Sequence, residues 1–326
     1  MRLIISKTKL LGASYALIIA AFLAFTISTY FFGLVINFEG SDYSQNLANI
    51  TAASKGYFGG NKPDNILMYL VLDAHFYYWL GNLSSLTTNN TLILQGLTAT
   101  TVLALTGPSI FSAGQKKNRI LLLALLVAIF LHPRFIDLVT GNIRSGVALS
   151  VSFCALKMEN TKFKHILLLL APTFHLGAIV VAVFYIAYRF WGLMPKLFCR
   201  PDIKVFILFL FTGILCLVGK TLFPERGDGV WEGGTAYTIA IFGIFCYVSF
   251  LGKHFVDNIF GFVTLGLISF VVWGAILDYA TMRYFSFFFP FFGSAVMHFH
   301  RQPQVLIMSL FVMAAFTLAS QSTYLL

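Results

Sequence analysis

Charged side chains are scarce in this sequence. Asp, Glu, Lys and Arg together make up 10% of its 326 residues, whereas an average soluble domain carries roughly 25%. Hydrophobic residues make up 58% of the chain and aromatic residues 17%. So few charges cannot cover a soluble surface, and a soluble core cannot hold so many apolar side chains. These proportions exclude a soluble enzyme and a disordered chain, and they predict an all-α polytopic membrane protein.

Cysteines and familiar catalytic motifs are also few. The four cysteines have no CxxC spacing, which argues against a metal site or a disulfide framework. The sequence contains no GxGxxG, P-loop, HExxH or GxSxG motif, so nucleotide, zinc and serine-hydrolase chemistry lack support. No carboxylate pair has the spacing of metal ligands. We therefore expect neither a metal nor another cofactor.

The formal net charge is +10, but the basic residues form short clusters between apolar runs. Nucleic-acid binding requires a contiguous basic face, so we expect no nucleic-acid partner. Clusters of this kind are typical of cytoplasmic loops that follow the positive-inside rule.

Seven apolar runs approach the roughly 20 residues that cross a bilayer as a helix: 10–36, 91–113, 205–223, 237–251, 259–277, 284–297 and 305–318. A further block, 119–156, is long enough to cross twice, with a polar break at His132-Pro133-Arg134. Segments 66–86 and 166–188 are ambiguous. The pattern predicts about nine to eleven transmembrane helices, some of them broken or re-entrant, in one integral membrane domain covering 1–326.

Charge placement favours a cytoplasmic N-terminus, with both ambiguous segments failing to cross completely. This topology puts most of the 22 Lys and Arg residues on the inner side. Two polar stretches, 37–65 and 224–235, then form external loops.

Ionisable residues inside spans mark candidate functional sites. Arg144 lies roughly 20 Å from Lys157 along a helix, and Arg283 lies roughly 22 Å from His298. Both arginines thus reach the outer half of the bilayer, and Arg134, Asp137, Asp278 and Tyr279 are near them in sequence. We expect an outward-facing cavity that binds a phosphate or diphosphate, which the fork of arginine suits. The alternative is that the arginines reach lipid headgroups or pair with Asp137 and Asp278.

His175 is the third candidate. Pro172 and Gly177 flank it in an apolar run, and they should break a helix there. A histidine at such a break could take a proton from a sugar hydroxyl near neutral pH. The alternative is a hydrogen bond to a carbonyl that the break leaves exposed.

Four segments resemble elements of EpsG-like, Wzy-type polysaccharide polymerases. They are GSDYSQN (40–46), NIRSGVALSVSFCAL (142–156), KHILLLLAPTFHLGAIVV (164–181) and DYATMRYFSFFFP (278–290). The four follow the family's order over most of the chain. The resemblance implies a membrane glycosyltransferase of the C type, which polymerises O-antigen or capsule-like polysaccharide at the periplasmic face of the bacterial inner membrane.

Such an enzyme transfers an undecaprenyl-diphosphate-linked glycan onto the next lipid-linked repeat unit. In this reading Arg144 and Arg283 stabilise the diphosphate leaving group, and His175 is the base, with Asp42 or Asp278 as alternatives. The predicted substrate-binding residues are Asp42, Tyr43, Arg134, Asp137, Asp278, Tyr279 and Arg226. Its partners would be lipid-linked oligosaccharide substrates and membrane lipid, with a chain-length regulator protein as a further candidate.

Three other functions fit parts of the pattern. A flippase or transporter of lipid-linked oligosaccharide also needs arginines for diphosphate, but the chain lacks paired repeat halves. An O-antigen ligase uses the same donor with a different acceptor. A sugar-modifying acyltransferase would need its histidine near the inner face.

Overall fold

The computed structural model describes residues 7–34, 48, 90–193, 200–222, 235–279 and 281–324. All regular structure in these residues is helical, which confirms the all-α prediction. The α-helices are α1 (Lys7–Leu34), α2 (Asn90–Gly114), α3 (Arg119–Phe130), α4 (Pro133–Thr140), α5 (Ile143–Lys157), α6 (Thr161–Phe174), α7 (Ile179–Trp191), α8 (Pro201–Leu222), α9 (Thr235–Phe255), α10 (Ile259–Leu277), α11 (Met282–Ala295) and α12 (Pro303–Tyr324). Two 3₁₀ turns, Leu176–Ala178 and Val296–Phe299, follow α6 and α11. Segment 66–86 lies outside the described residues, as do loops 37–65 and 224–235 apart from Ala48 and Thr235.

The apolar helices identify a helical membrane protein, but the predicted number of spans is wrong for the described residues. Three stretches are long and apolar enough to cross a bilayer, namely Leu92–Gly114, Pro201–Thr221 and Ile259–Leu277. A fourth span results if α3 and α4 count as one, although they meet at a bend of 62°. Polar and proline breaks account for part of this difference, because they divide some apolar runs into helices too short to span. The block 119–156, for example, becomes three helices.

The predicted break at His132-Pro133-Arg134 is confirmed by this bend. His132 is completely buried and stacks on Phe289 and Phe316, with ring centroids 4.4 and 4.7 Å away. Its Nδ1 accepts a hydrogen bond from the backbone N–H of Arg134 at 3.2 Å. The imidazole thus satisfies one of the donors that the start of α4 exposes.

The described helices pack as two compact units, each assembled from separate stretches of the chain. Unit 1 comprises Met1–Gly12, Phe111–Phe135 and Val183–Leu326, and unit 2 comprises Ala13–Ile110 and Ile136–Ala182.

Helix α10 is the centre of unit 1. It is mostly buried and packs against α8, α9 and α11. Trp273 of α10 donates its indole N–H to the carbonyl of Phe209 at 2.8 Å. Gly213 of α8 lies directly beneath the Trp273 ring, where an added Cβ would come within 2.7 Å of it. The absence of a side chain at Gly213 therefore sets the close approach of α8 to α10.

The basic turns of unit 1 meet at one end. This end holds the turns that connect α2 to α3, α9 to α10 and α11 to α12, and α8 also begins here. Side-chain bonds join these segments in pairs: Asn118 with His300, Asn258 with His298, and Lys204 with Asp257. At the opposite end Lys220 donates to the carbonyl of Leu277 at 2.6 Å. Within unit 1, the turn 116–119, the start of α8 and the turn that carries Arg301 are thus neighbours, as their predicted position on one membrane side requires. We call this end of unit 1 its basic end.

A helical hairpin of α5 and α6 forms part of unit 2. Small side chains let the two helices approach, because Ala148 packs against Ala171 and Ala178. The side chain of Asn160 caps α6, with Oδ1 accepting from the N–H groups of Lys162 and Phe163. A cap of this kind fixes where the second helix starts.

Candidate functional site

The α5–α6 hairpin brings Arg144 and His175 to the same end of unit 2. Arg144 lies in the first turn of α5, and His175 directly follows α6. Residues 158–160 connect the two packed helices, which therefore run antiparallel, so the start of α5 lies beside the end of α6. Arg144 also lies one turn before Ala148, on the face that meets α6. The predicted separation of Arg144 from Lys157 is confirmed, since the two residues occupy opposite ends of one helix.

Asp137 lies at this same end, near the end of α4 and just before the turn that leads into α5. Its backbone carbonyl accepts from the N–H groups of Gly141 and Asn142, both at 2.9 Å. Its carboxylate Oδ2 accepts from the side-chain amide of Asn142 at 3.2 Å. A Cβ on Gly141 would come within 2.7 Å of Asp137 Oδ1, so a larger residue at 141 would force this carboxylate to shift. The turn therefore fixes a carboxylate next to the start of the helix that carries Arg144.

His175 lies at the break that Pro172 and Gly177 predict. Helix α6 contains Pro172 in its last turn and ends at Phe174, and a 3₁₀ turn begins at Leu176. The backbone of His175 is extended, and its Nδ1 accepts from the N–H of Gly177 at 3.1 Å. Because Nδ1 accepts, the neutral imidazole carries its proton on Nε2. His175 is half-buried, and in this tautomer its Nε2 is a hydrogen-bond donor.

Three other predicted residues lie where α10 turns into α11, at the end of unit 1 opposite the basic end. Asp278 ends α10 in a left-handed conformation with φ of 50° and has an exposed side chain. Tyr279 is half-buried, and its hydroxyl lies 3.3 Å from where a Cβ on Gly219 would be. Arg283 lies in the first turn of α11, and its side chain is outside the described residues.

The remaining predicted residues divide into two groups. Arg134 lies in the first turn of α4, three residues before Asp137 on the same helix. Asp42, Tyr43 and Arg226 lie outside the described residues. The predicted outward-facing cavity stays a prediction.

Two residues of the site were not predicted as functional. Asn142 holds the Asp137 carboxylate, and Gly141 leaves space for it. The sequence feature that indicates these two residues is the Gly-Asn pair between two apolar stretches, because such a pair is typical of a turn. Within the described residues, no group of three or more His, Cys, Asp and Glu is arranged to hold a metal ion.

Comparisons with protein-family models, curated proteins and solved structures find no significant match for this chain.

Proposed function

We propose that this protein is a membrane glycosyltransferase that polymerises a lipid-linked glycan. The observation that carries the proposal is the end of the α5–α6 hairpin, where Arg144, His175 and Asp137 occur in one part of unit 2. This end lies opposite the basic turn 157–164. The positive-inside rule assigns that turn to the cytoplasm, so these three side chains would face the periplasm.

The proposed reaction breaks the bond between the glycan's anomeric carbon and the undecaprenyl diphosphate. A hydroxyl oxygen of the next lipid-linked repeat unit forms the new bond to that carbon. Negative charge develops on the departing diphosphate, and fixed donors at that position lower the barrier. Arg144 suits this role because its planar guanidinium can donate two parallel hydrogen bonds to one phosphate. Arg283, which the sequence predicts as a further diphosphate ligand, lies at the start of α11 in unit 1.

We assign His175 to the same leaving group. While Gly177 donates to Nδ1, the neutral ring presents an N–H at Nε2. That N–H can donate to a diphosphate oxygen, whereas the base predicted from the sequence requires an unprotonated Nε2. The proton of the acceptor hydroxyl then passes to a carboxylate. Asp137 is the carboxylate at this end of the hairpin, and Asp42 and Asp278 are the alternatives named from the sequence.

Deletion of the gene distinguishes the proposed polymerase from its closest rivals. A polymerase mutant should carry single repeat units on its surface where the parent strain shows a ladder of chain lengths. Full-length chains that stay linked to undecaprenyl diphosphate would indicate a ligase. Lipid-linked repeat units trapped on the cytoplasmic side would indicate a flippase. An unchanged ladder would overturn the polymerase proposal.

A further inference from the structure

A cavity of about 330 Å³ opens at the basic end of unit 1. The last turn of α7, the first turns of α8 and α10, and the turn before α10 surround it. Six of its lining residues matter here: Tyr188, Arg189, Trp191, Lys204, Asp257 and Phe262. The volume lies near the lower limit of typical small-ligand pockets, which hold roughly 300–1,000 Å³.

The charges around this cavity favour an anion. Lys204 forms an ion pair with Asp257, so the guanidinium of Arg189 is the additional positive charge. Arg189 is exposed and accessible from solvent. Helices α8 and α10 also begin beside the cavity, and the dipoles of helix N-termini attract negative charge. Asp202 already lies in the first turn of α8, and the Asn258 side chain caps α10, so Arg189 is the group that would bind the anion directly.

The cavity lies at the depth of lipid headgroups. Two of the three spanning stretches, Pro201–Thr221 and Ile259–Leu277, begin here, so the cavity belongs to the interface and not to the hydrocarbon core. Its wall is aromatic, with the ring of Phe262 lying 5.5 Å from that of Tyr188 and 6.1 Å from that of Trp191. Aromatic side chains of this kind concentrate at membrane interfaces.

An apolar track leads from the cavity toward the membrane interior. Ile186 and Phe190 lie one turn apart on α7, and they are 52% and 62% exposed. Phe190 directly follows the cavity-lining residue Arg189, and Ile186 lies about one helical turn before Arg189. An acyl chain could follow this face of α7 while a charged group occupies the cavity.

We propose that this cavity binds the phosphate headgroup of an anionic phospholipid, with one acyl chain along Ile186 and Phe190. Basic pockets between transmembrane helices at the cytoplasmic surface are suited to such headgroups. The phosphate contacts the guanidinium of Arg189. Asp257 remains bonded to Lys204, so it does not repel the phosphate as a bare carboxylate would. This site is independent of the proposed transferase reaction.

Thermal unfolding of the delipidated full-length protein in detergent tests this site. Phosphatidylglycerol, phosphatidylcholine with the same acyl chains, and sodium phosphate are added separately. Binding to the folded state raises the unfolding midpoint. We expect phosphatidylglycerol to raise the midpoint of the wild type by several degrees, with much smaller shifts from the other two. Arg189→Gln should lose most of this shift. Arg301→Gln removes a charge from the same end of unit 1 but outside the cavity, and it should keep the shift.

Three results would overturn the proposal. An equal loss in Arg189→Gln and Arg301→Gln would mean that the lipid senses only the overall basic charge. An equal shift from sodium phosphate would make free phosphate the ligand. An equal shift from phosphatidylcholine would show that the acyl chains alone account for the stabilisation.

Discussion

Two histidines lie at helix breaks. Each accepts the same kind of hydrogen bond from a backbone N–H, yet their surroundings differ. His132 Nδ1 accepts from the N–H of Arg134, and His175 Nδ1 accepts from the N–H of Gly177, in each case two residues further on. His132 is completely enclosed by phenylalanine rings, so its role is structural. His175 is half-buried at the end of the hairpin that also carries Arg144, where a substrate could reach it.

Substitution of His132 separates the stacking from the hydrogen bond. His132→Phe keeps a planar ring between Phe289 and Phe316 but leaves the Arg134 N–H without its acceptor, which should cost about 1 kcal/mol of unfolding free energy. His132→Ala also removes the ring contacts and leaves a cavity, so the loss should reach about 3 kcal/mol. Detergent-induced unfolding of the purified variants measures both values. Equal stability of the two variants would contradict a stacking role.

Glycines and small residues determine how closely the helices pack. Gly274 of α10 faces Thr281, the residue that precedes α11. A Cβ on Gly274 would lie 1.7 Å from the Thr281 hydroxyl oxygen. Thr281 is fully buried, and its hydroxyl donates to the carbonyl of Val271 at 3.4 Å. The turn between α10 and α11 therefore depends on the missing side chain of Gly274.

Gly274→Ala should destabilise unit 1, since the turn carrying Asp278 and leading to Arg283 must shift to remove the clash. We expect a loss of about 1–3 kcal/mol, the range for overpacked sites. Gly243→Ala is the matched control, because Gly243 is also helical and an added Cβ there meets nothing within 4 Å. Alanine is the better helix former by roughly 1 kcal/mol, so the control should be neutral or slightly stabilised. The opposite order of the two unfolding free energies would refute this account of the turn.

Helix boundaries and helix breaks are predictable from the sequence where the local signal is strong. The run 259–277 coincides with α10, because its apolar stretch is uninterrupted and Asn258 caps it. The breaks at His132-Pro133 and Pro172–Gly177 were predictable because proline and glycine disrupt helices wherever they pack. The angle of 62° was not predictable, since no local signal specifies it, and His132 at the break packs on residues more than 150 positions away. The Asn142–Asp137 bond likewise depends on the detailed shape of a turn.

The two ends of unit 1 differ in charge, because its basic turns lie together at one end. This asymmetry predicts how unit 1 is oriented across the membrane. Arg301 lies at the basic end, and Asp278 lies at the opposite end of α10. Both residues are exposed. The positive-inside rule assigns the basic end to the cytoplasm, and α10 spans about 28 Å between the two ends.

Cysteine labelling tests this direction. Asp278→Cys and Arg301→Cys would each be introduced into a protein whose four native cysteines are replaced by serine. A membrane-impermeant maleimide should label Asp278→Cys in intact spheroplasts. Arg301→Cys should react only after permeabilisation. The reverse pattern would contradict the predicted direction of unit 1 in the membrane.

The basic end also has a pH-sensitive contact. Asn258 Oδ1 accepts from the N–H of Phe260, so its amide N–H₂ points toward His298 and Nε2 of that ring accepts. Partial desolvation lowers the pKa of the exposed His298 ring, and the nearby positive charges of His300 and Lys116 add to this effect. The neutral ring is therefore the form that stabilises the fold.

The lowered pKa of His298 determines how the stability of the fold depends on pH. Stability from His298 is complete above the ordinary histidine pKa of about 6.5 and is lost as pH falls through the lower pKa of the folded protein. The wild type should lose more thermal stability between about pH 7.5 and pH 5 than His298→Gln, whose side chain does not titrate. Parallel losses in the two proteins would show that other groups cause the acid sensitivity.

Two charges at opposite ends of one helix distinguish the proposed transfer site from the rest of α5. Arg144→Gln and Lys157→Gln remove one positive charge each from opposite ends of α5, and each variant would complement a deletion strain at matched expression. The surface glycan is then resolved on a gel. We predict that Lys157→Gln restores the full ladder of chain lengths, whereas Arg144→Gln leaves mostly single repeat units. A full ladder from Arg144→Gln would contradict the claim that this end of the α5–α6 hairpin is where the transfer takes place.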